Sequence, residues 1–141
     1  DGFDEDRDGD GTLDVYATDH APHHYDEKEQ AFDDAPDGIV GLETSLGLGL
    51  THIVGGGLID LPTLIDRMSC GPARAFGLPG GTLAIGAPAD VTIIDLEEVW
   101  TVDRDTFVSK SRNTPFHGSE LKGRARYTIV GGVIVWKLGV D

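Results

Sequence analysis

The run Tyr127-Thr-Ile-Val130, Gly131-Gly132, Val133-Ile-Val-Trp136 constrains this chain more than any other stretch. Two β-rich runs joined by two glycines predict a hairpin, because a two-residue turn needs positive φ at its centre and glycine supplies it without strain. Upstream, Val91, Ile93 and Asp95 alternate with Thr92, Ile94 and Leu96, the period of a strand, and Val99 to Val102 reads as a further short strand. Roughly the last 60 residues therefore predict a small β unit. Such a unit has too few strands to close on itself and leaves sheet edges bare, so it is expected to need strands from elsewhere.

The period before this unit is helical. Leu42, Leu46, Leu50 and Ile53 fall on one face, and Gly55-Gly56-Gly57 ends the run. Asp60 is a good N-cap, Pro62 suits a first turn, and Leu61, Leu64, Ile65 and Met68 share an apolar face. Gly71 and Pro72 read as the stop of that helix, with one more turn over Ala73 to Phe76 before Gly77; Met68 and Phe76 read as packing residues. Near the start, Leu13 to Ala17 is short, apolar and bounded by turn signals, which predicts a buried strand. A chain that begins at a buried strand and ends in an incomplete sheet is expected to be the later part of a longer one.

Charge narrows the partners. Asp and Glu number 25 against 11 Lys and Arg, a net charge of −14, and phosphate neutralisation needs the opposite balance, so no nucleic-acid partner is expected. Such an Asp-rich, Lys-poor surface suits a high-salt cytoplasm and predicts stability that rises with KCl; a salt-indifferent melting curve would refute this. No apolar run approaches the roughly 20 residues of a membrane helix. Cys70 is the one cysteine, which excludes an intrachain disulfide and a cysteine-based zinc site, and a cytoplasmic location fits. Asp6, Asp8, Asp10, Gly11 and Asp14 match positions of a calcium loop, but Ala17 stands where the bidentate Glu belongs, so the acidic start reads as a solvated loop.

Ala17 to His24, Ala-Thr-Asp-His-Ala-Pro-His-His, is the stretch with chemical capacity. One carboxylate and three imidazoles leaving a strand can bind a metal, move a proton or hold an anion. On composition alone a polar turn shaped by Pro22 is the simpler account. The polar segment Tyr25 to Gly38 beside it reads either as a substrate lid or as an exposed connection.

Several segments together carry a resemblance. Asp14-Val-Tyr-Ala-Thr-Asp-His-Ala-Pro-His23 resembles the dihydroorotase signature of the amidohydrolase superfamily. The likeness continues through Ala35-Pro-Asp-Gly-Ile-Val-Gly-Leu-Glu-Thr44, Gly71-Pro-Ala-Arg-Ala-Phe-Gly-Leu78, Gly86-Ala-Pro-Ala-Asp-Val-Thr-Ile-Ile-Asp95 and Ser109-Lys-Ser-Arg-Asn-Thr-Pro-Phe-His-Gly118. The matched blocks run in one order over residues 12 to 138.

The resemblance implies an α/β fold: the C-terminal part of a (β/α)8 barrel, with the C-terminal strands of a composite β-sandwich. Residues 1–78 would supply the last barrel strand, the site loop and closing helices, and residues 79–141 the share of the sandwich. The family reaction is the reversible cyclisation of N-carbamoyl-L-aspartate to L-dihydroorotate in pyrimidine synthesis, on a zinc site of one or two ions. By resemblance Asp19 is a metal ligand and the catalytic base, at the mouth of a barrel strand where barrel enzymes keep their chemistry. His23 matches the residue that binds the substrate carboxylate. Asp37 and Gly38 match the loop that touches substrate, through backbone alone at Asp37, since the family often has an apolar or aromatic residue there. His20 is given no ligand role, His24 falls outside the motif, and His52 and His117 read as structural or surface residues. The partner is thus a small molecule, with no nucleic acid and no membrane, and a homo-oligomer is among the states allowed.

The family's His-x-His pair, carboxylated lysine and two further His ligands are not in this sequence. One carboxylate cannot hold zinc alone, so residues 1–141 by themselves are expected to be inactive, as part of an enzyme roughly three-fold longer. Allantoinase or dihydropyrimidinase is the alternative within the superfamily, and a non-catalytic dihydroorotase-like subunit the alternative outside catalysis.

Overall fold

The computed structural model describes residues 13–139; the calcium-loop positions Asp6, Asp8, Asp10 and Gly11 lie outside them. In order, the elements are α1 (Tyr25–Lys28), α2 (Ser45–Leu48), α3 (Leu61–Ile65), α4 (Gly71–Phe76), β1 (Val91–Thr101), β2 (Glu120–Val130) and β3 (Val133–Lys137). Wide π-helical turns follow α2 over Gly49–Val54 and join α3 to α4 over Asp66–Cys70.

The three strands form an antiparallel sheet in the order β1-β2-β3. The hairpin is where the sequence places it: Val130 pairs with Val133, and Gly131 and Gly132 take φ of 57° and 82°. The two short strands expected over Val91–Leu96 and Val99–Val102 are instead one. Asp95 pairs with Arg124 and Val99 with Lys122, so the intervening residues bulge out of the ladder. Asp95 Oδ1 accepts the N–H groups of Glu97 and Glu98 at 3.0 and 3.1 Å, and this local bonding lets the chain leave the sheet and return.

The first helical stretch begins later than its apolar period suggests. Leu42 stands before α2 in a turn, 63% exposed, while Leu48 and Leu50 are buried. Glycines set the packing of this stretch. A Cβ on Gly47 would lie 3.0 Å from Leu121 Cδ1, and one on Gly49 would lie 3.1 Å from both Leu64 methyls. The helix therefore fits between the sheet and α3 only because these two positions lack side chains. Val40, Leu48, Val102, Phe107 and Leu121 form the buried cluster, with Trp100 and Phe116 against it. At about 1.5–3 kcal/mol per fully buried side chain, this cluster is the main tie between the helical and sheet segments.

Asp60 caps α3 as expected, its Oδ1 accepting the Thr63 N–H at 2.9 Å. Gly71-Pro72, however, does not stop the helix. The wide turn bonds Gly71 N–H to Asp66 O, and helical geometry continues to Gly77, which ends it at φ 62°. Pro72 has no N–H to give to the preceding turn, and the Arg67 carbonyl accepts the Tyr16 N–H at 2.9 Å. A Cβ on Gly71 would overlap the Asp14 carbonyl. The pair is thus a notch against which residues 13–17 lie.

That segment is not the buried strand expected. Leu13 to Ala17 is extended chain with no strand beside it among the described residues, and Asp14 and Ala17 are exposed. A strand is defined by its ladder, and apolar character alone cannot supply one. Phe76 is likewise not a packing residue: it is 70% exposed on the last turn of α4, whereas Met68 is half-buried. None of the helices among the described residues is long and apolar enough to cross a membrane.

Candidate active site

Tyr16 anchors the approach to the site. Its hydroxyl donates to Ser45 O at 3.1 Å, and burial raises its phenol pKa, which keeps the O–H a donor. Beyond it, Gly41 passes Thr18 so closely that a Cβ there would lie 3.0 Å from both the Thr18 carbonyl oxygen and its Cβ.

Asp19 then takes φ 41°, the one non-glycine residue with positive φ among the described residues. Asp tolerates this left-handed region better than most residues, yet the conformation persists only when neighbours hold it. The holding group is the next side chain. His20 Nδ1 accepts the N–H of Gly41 at 3.1 Å and that of Leu42 at 3.4 Å. With Nδ1 as acceptor, the neutral ring carries its proton on Nε2. His20 is therefore a strut across the loop, in keeping with the absence of an expected ligand role. The Asp19 carboxylate is exposed and has no hydrogen-bond partner among the described residues, so its oxygens are available.

His23 and Gly38 are brought together. Gly38 has φ 98°, and a Cβ there would lie 2.5 Å from Ala21 Cβ and 3.8 Å from His23 Nε2. Glycine is required on both counts. The His23 imidazole, 26% exposed, has its Nδ1 3.5 Å from Glu27 Oε2. Asp37 is exposed immediately before Gly38, and no hydrogen bond or ion pair engages its side chain among the described residues. His24 does something else: its Nδ1 accepts the Asp26 N–H at 3.3 Å while Glu27 accepts its own N–H at 3.0 Å, a capping box on α1.

The residue that joins these pieces comes from far along the chain. Asn113 Nδ2 donates to the carbonyls of Ala21 at 2.9 Å and Gly38 at 3.2 Å, and Asn113 Oδ1 accepts the His23 N–H at 3.3 Å. Its backbone carbonyl accepts the Val40 N–H at 3.0 Å, and the neighbouring Ser111 hydroxyl donates to the His23 carbonyl. Lys28 Nζ closes the loop from the other side, donating to Pro36 O at 2.6 Å and Gly38 O at 3.2 Å. Sequence reasoning assigned no role to Asn113; its only signal was membership of the matched block Ser109–Gly118.

The donor chemistry suits a metal in kind but not in number. Asp19 offers hard carboxylate oxygens, but no three His, Cys, Asp or Glu side chains gather to hold an ion among the described residues. His20 is committed to backbone and His24 to a helix cap. The described residues of this stretch therefore fall short of the three or four ligands usual for zinc.

The arrangement has relatives. A model of the amidohydrolase family matches residues 36–136. The chain belongs to the amidohydrolase family. The amidohydrolase chain is 56% identical over 128 residues to the dihydroorotase of Geobacter metallireducens, covering 91% of this chain and 30% of that protein. It is 49% identical over 141 residues to the dihydroorotase of Bacillus caldolyticus, covering 96% and 33%. Among solved structures it is similar to the L-hydantoinase of Arthrobacter aurescens, with a TM-score of 0.85, 36% identity, and coverage of 92% of this chain and 30% of that one. The D-hydantoinase of a Thermus species follows at TM-score 0.81 and 30% identity, over 90% and 29%. This amidohydrolase chain thus spans about a third of the length of the relatives it matches. The expected resemblance to dihydroorotases is borne out, with an α/β amidohydrolase fold whose described part holds a small three-stranded sheet and few helices.

Proposed function

We propose that this chain is part of a cytoplasmic, zinc-dependent dihydroorotase that interconverts N-carbamoyl-L-aspartate and L-dihydroorotate in pyrimidine synthesis. It would supply the end of a (β/α)8 barrel and part of a β-sandwich. The observation that carries the reading is the joining of His23 and Gly38 by one amide beside an unencumbered Asp19, in a chain so similar to dihydroorotases.

The roles follow from chemistry. A bound zinc would lower the pKa of water and polarise the ring carbonyl. Asp19 takes a proton from the attacking water and returns it to the departing ring nitrogen, since an exposed carboxylate at a fixed backbone angle can accept and pass on one proton. His23 binds the substrate carboxylate, and the Gly38 backbone closes on the ring. Because Asp19 is the one metal ligand assigned here, residues 1–141 alone with Zn²⁺ are expected not to hydrolyse dihydroorotate.

A substrate panel on the complete enzyme tests the reading. A site built to bind the substrate carboxylate should favour dihydroorotate over dihydrouracil, hydantoin and allantoin by about 10⁴-fold. Comparable turnover of hydantoin or dihydrouracil would replace this reading with a dihydropyrimidinase-like one, which the hydantoinase likeness keeps as the second choice.

A further inference from the structure

Cations are scarce in this chain, and their distribution is uneven. Arg74 lies 2.8 Å from Asp66, Lys122 2.8 Å from Glu97, Arg126 3.1 Å from Glu98 and Arg124 4.0 Å from Glu98. Lys28, Arg104, Lys110 and Arg112 are different. All four line a single cavity of about 270 Å³ beside α1, and none is paired with a carboxylate among the described residues. Four of the chain's 11 Lys and Arg thus face one hollow against a single carboxylate, Glu29, in a molecule of net charge −14.

Two of these head groups are fixed in place by neutral partners. Lys28 Nζ rests on the Pro36 and Gly38 carbonyls, and Arg112 Nη1 on those of Ser109 and Ser111. Carbonyls orient a cation without cancelling its charge, which leaves it attractive to an anion. Glu29 is the one carboxylate on the wall, beside the Tyr25 phenol, whose pKa it raises. The volume falls below the ~300–1,000 Å³ of drug-sized pockets, which suits a small ligand.

We propose that this cavity binds a small multivalent oxyanion, a phosphate compound or a dicarboxylate. The site adjoins the assigned substrate contacts: His23 and Asn113 line it, whereas Asp19 and Gly38 do not. It communicates with them, because Lys28 bonds Gly38 O. An anion that draws Lys28 towards the cavity weakens its hold on Gly38 and raises the KM for substrate; this second step rests on the dihydroorotase reading, and the binding itself does not.

Isothermal titration of the complete enzyme at low chloride, with pyrophosphate and with succinate, tests the binding. At least one probe binds, and Arg104→Glu or Lys110→Glu weakens it by about tenfold or more, while Lys122→Glu, on a paired cation elsewhere, changes it less than about twofold. Arg104→Gln and Lys110→Gln give the same order with a smaller loss should charge reversal harm folding. Tighter pyrophosphate points to a phosphate ligand, and tighter succinate to a carboxylate. Absence of binding by either probe, or equal binding in all variants, overturns the proposal, whether or not the enzyme turns over dihydroorotate. A KM unchanged by a bound probe overturns the coupling through Lys28 alone.

Discussion

Residues 91–137 and residues 13–44 meet the same requirement, a partner for each buried backbone polar group, by opposite means. The sheet meets it locally, since each strand offers its neighbour a ladder and a two-glycine turn fixes the register. The site segment has a four-residue helix, a few isolated backbone bonds and a string of single side-chain struts: His20 onto Gly41, Lys28 onto Gly38, and Asn113 from far along the chain onto Ala21, His23 and Gly38. Ladders are redundant, so one lost bond is tolerated. Single side-chain struts are not, and each is a point at which geometry, and with it chemistry, can be changed separately from the fold.

Substitutions should therefore separate into those that unfold and those that misplace. Leu121→Ala has the largest expected effect on the fold, because Leu121 is 1% exposed and packs on Gly47. Stability should fall by about 2–5 kcal/mol in urea denaturation of the complete enzyme, with kcat and KM of the surviving folded fraction little altered. Asn113→Ala should do the reverse. It strips partners from two carbonyls and one N–H, a cost of about 1–3 kcal/mol concentrated in the loop, so KM rises about tenfold or more and amide exchange quickens at Ala21 and His23. Asn113→Asp keeps an acceptor for the His23 N–H and should fall between. Equal KM across the three proteins would break the contrast drawn here.

His20 sharpens it further. Asn places an acceptor near the position of Nδ1 and Gln near that of Nε2, so His20→Asn should retain most of kcat/KM while His20→Gln loses about tenfold. The reverse order would show that Nε2, not the strut to Gly41, is what matters. The smallest effect belongs to the helical segment between the two regions. Asp60 has its pKa lowered by its bonds to Thr63, and Asp66 by its bond to Arg74. A lowered folded pKa adds stability that is complete above the unfolded carboxylate value of about 3.9, and that is lost as pH falls through the folded values. Helical circular dichroism should thus decline below about pH 4, and the decline should be smaller in Asp60→Asn and Asp66→Asn.

What the sequence made legible follows the same division. The hairpin, the alternation of β1 and the Asp60 cap could be read because each is set by residues within a few positions of one another. The motif around Asp19 and His23 could be read because it is contiguous. The non-local features were hidden. Gly71-Pro72 carries the signs of a helix stop, and only the passage of residues 14–16 against it explains why the helix widens and continues. Leu13 to Ala17 has strand composition, but pairing depends on chain beside it. Phe76 shares an apolar character with true core residues, and exposure is set by what lies opposite. Asn113 sits 90 residues from His23, and no spacing rule connects the two.

The central claim is that Asp19 carries the proton in a dihydroorotase reaction, and Asp19→Asn in the metal-loaded complete enzyme tests it most directly. Dihydroorotate hydrolysis should fall by about 10²–10⁴-fold, with circular dichroism and thermal unfolding unchanged. Turnover within about twofold of the unsubstituted enzyme would contradict the account, since general acid–base catalysis by a positioned carboxylate cannot be lost at so small a cost.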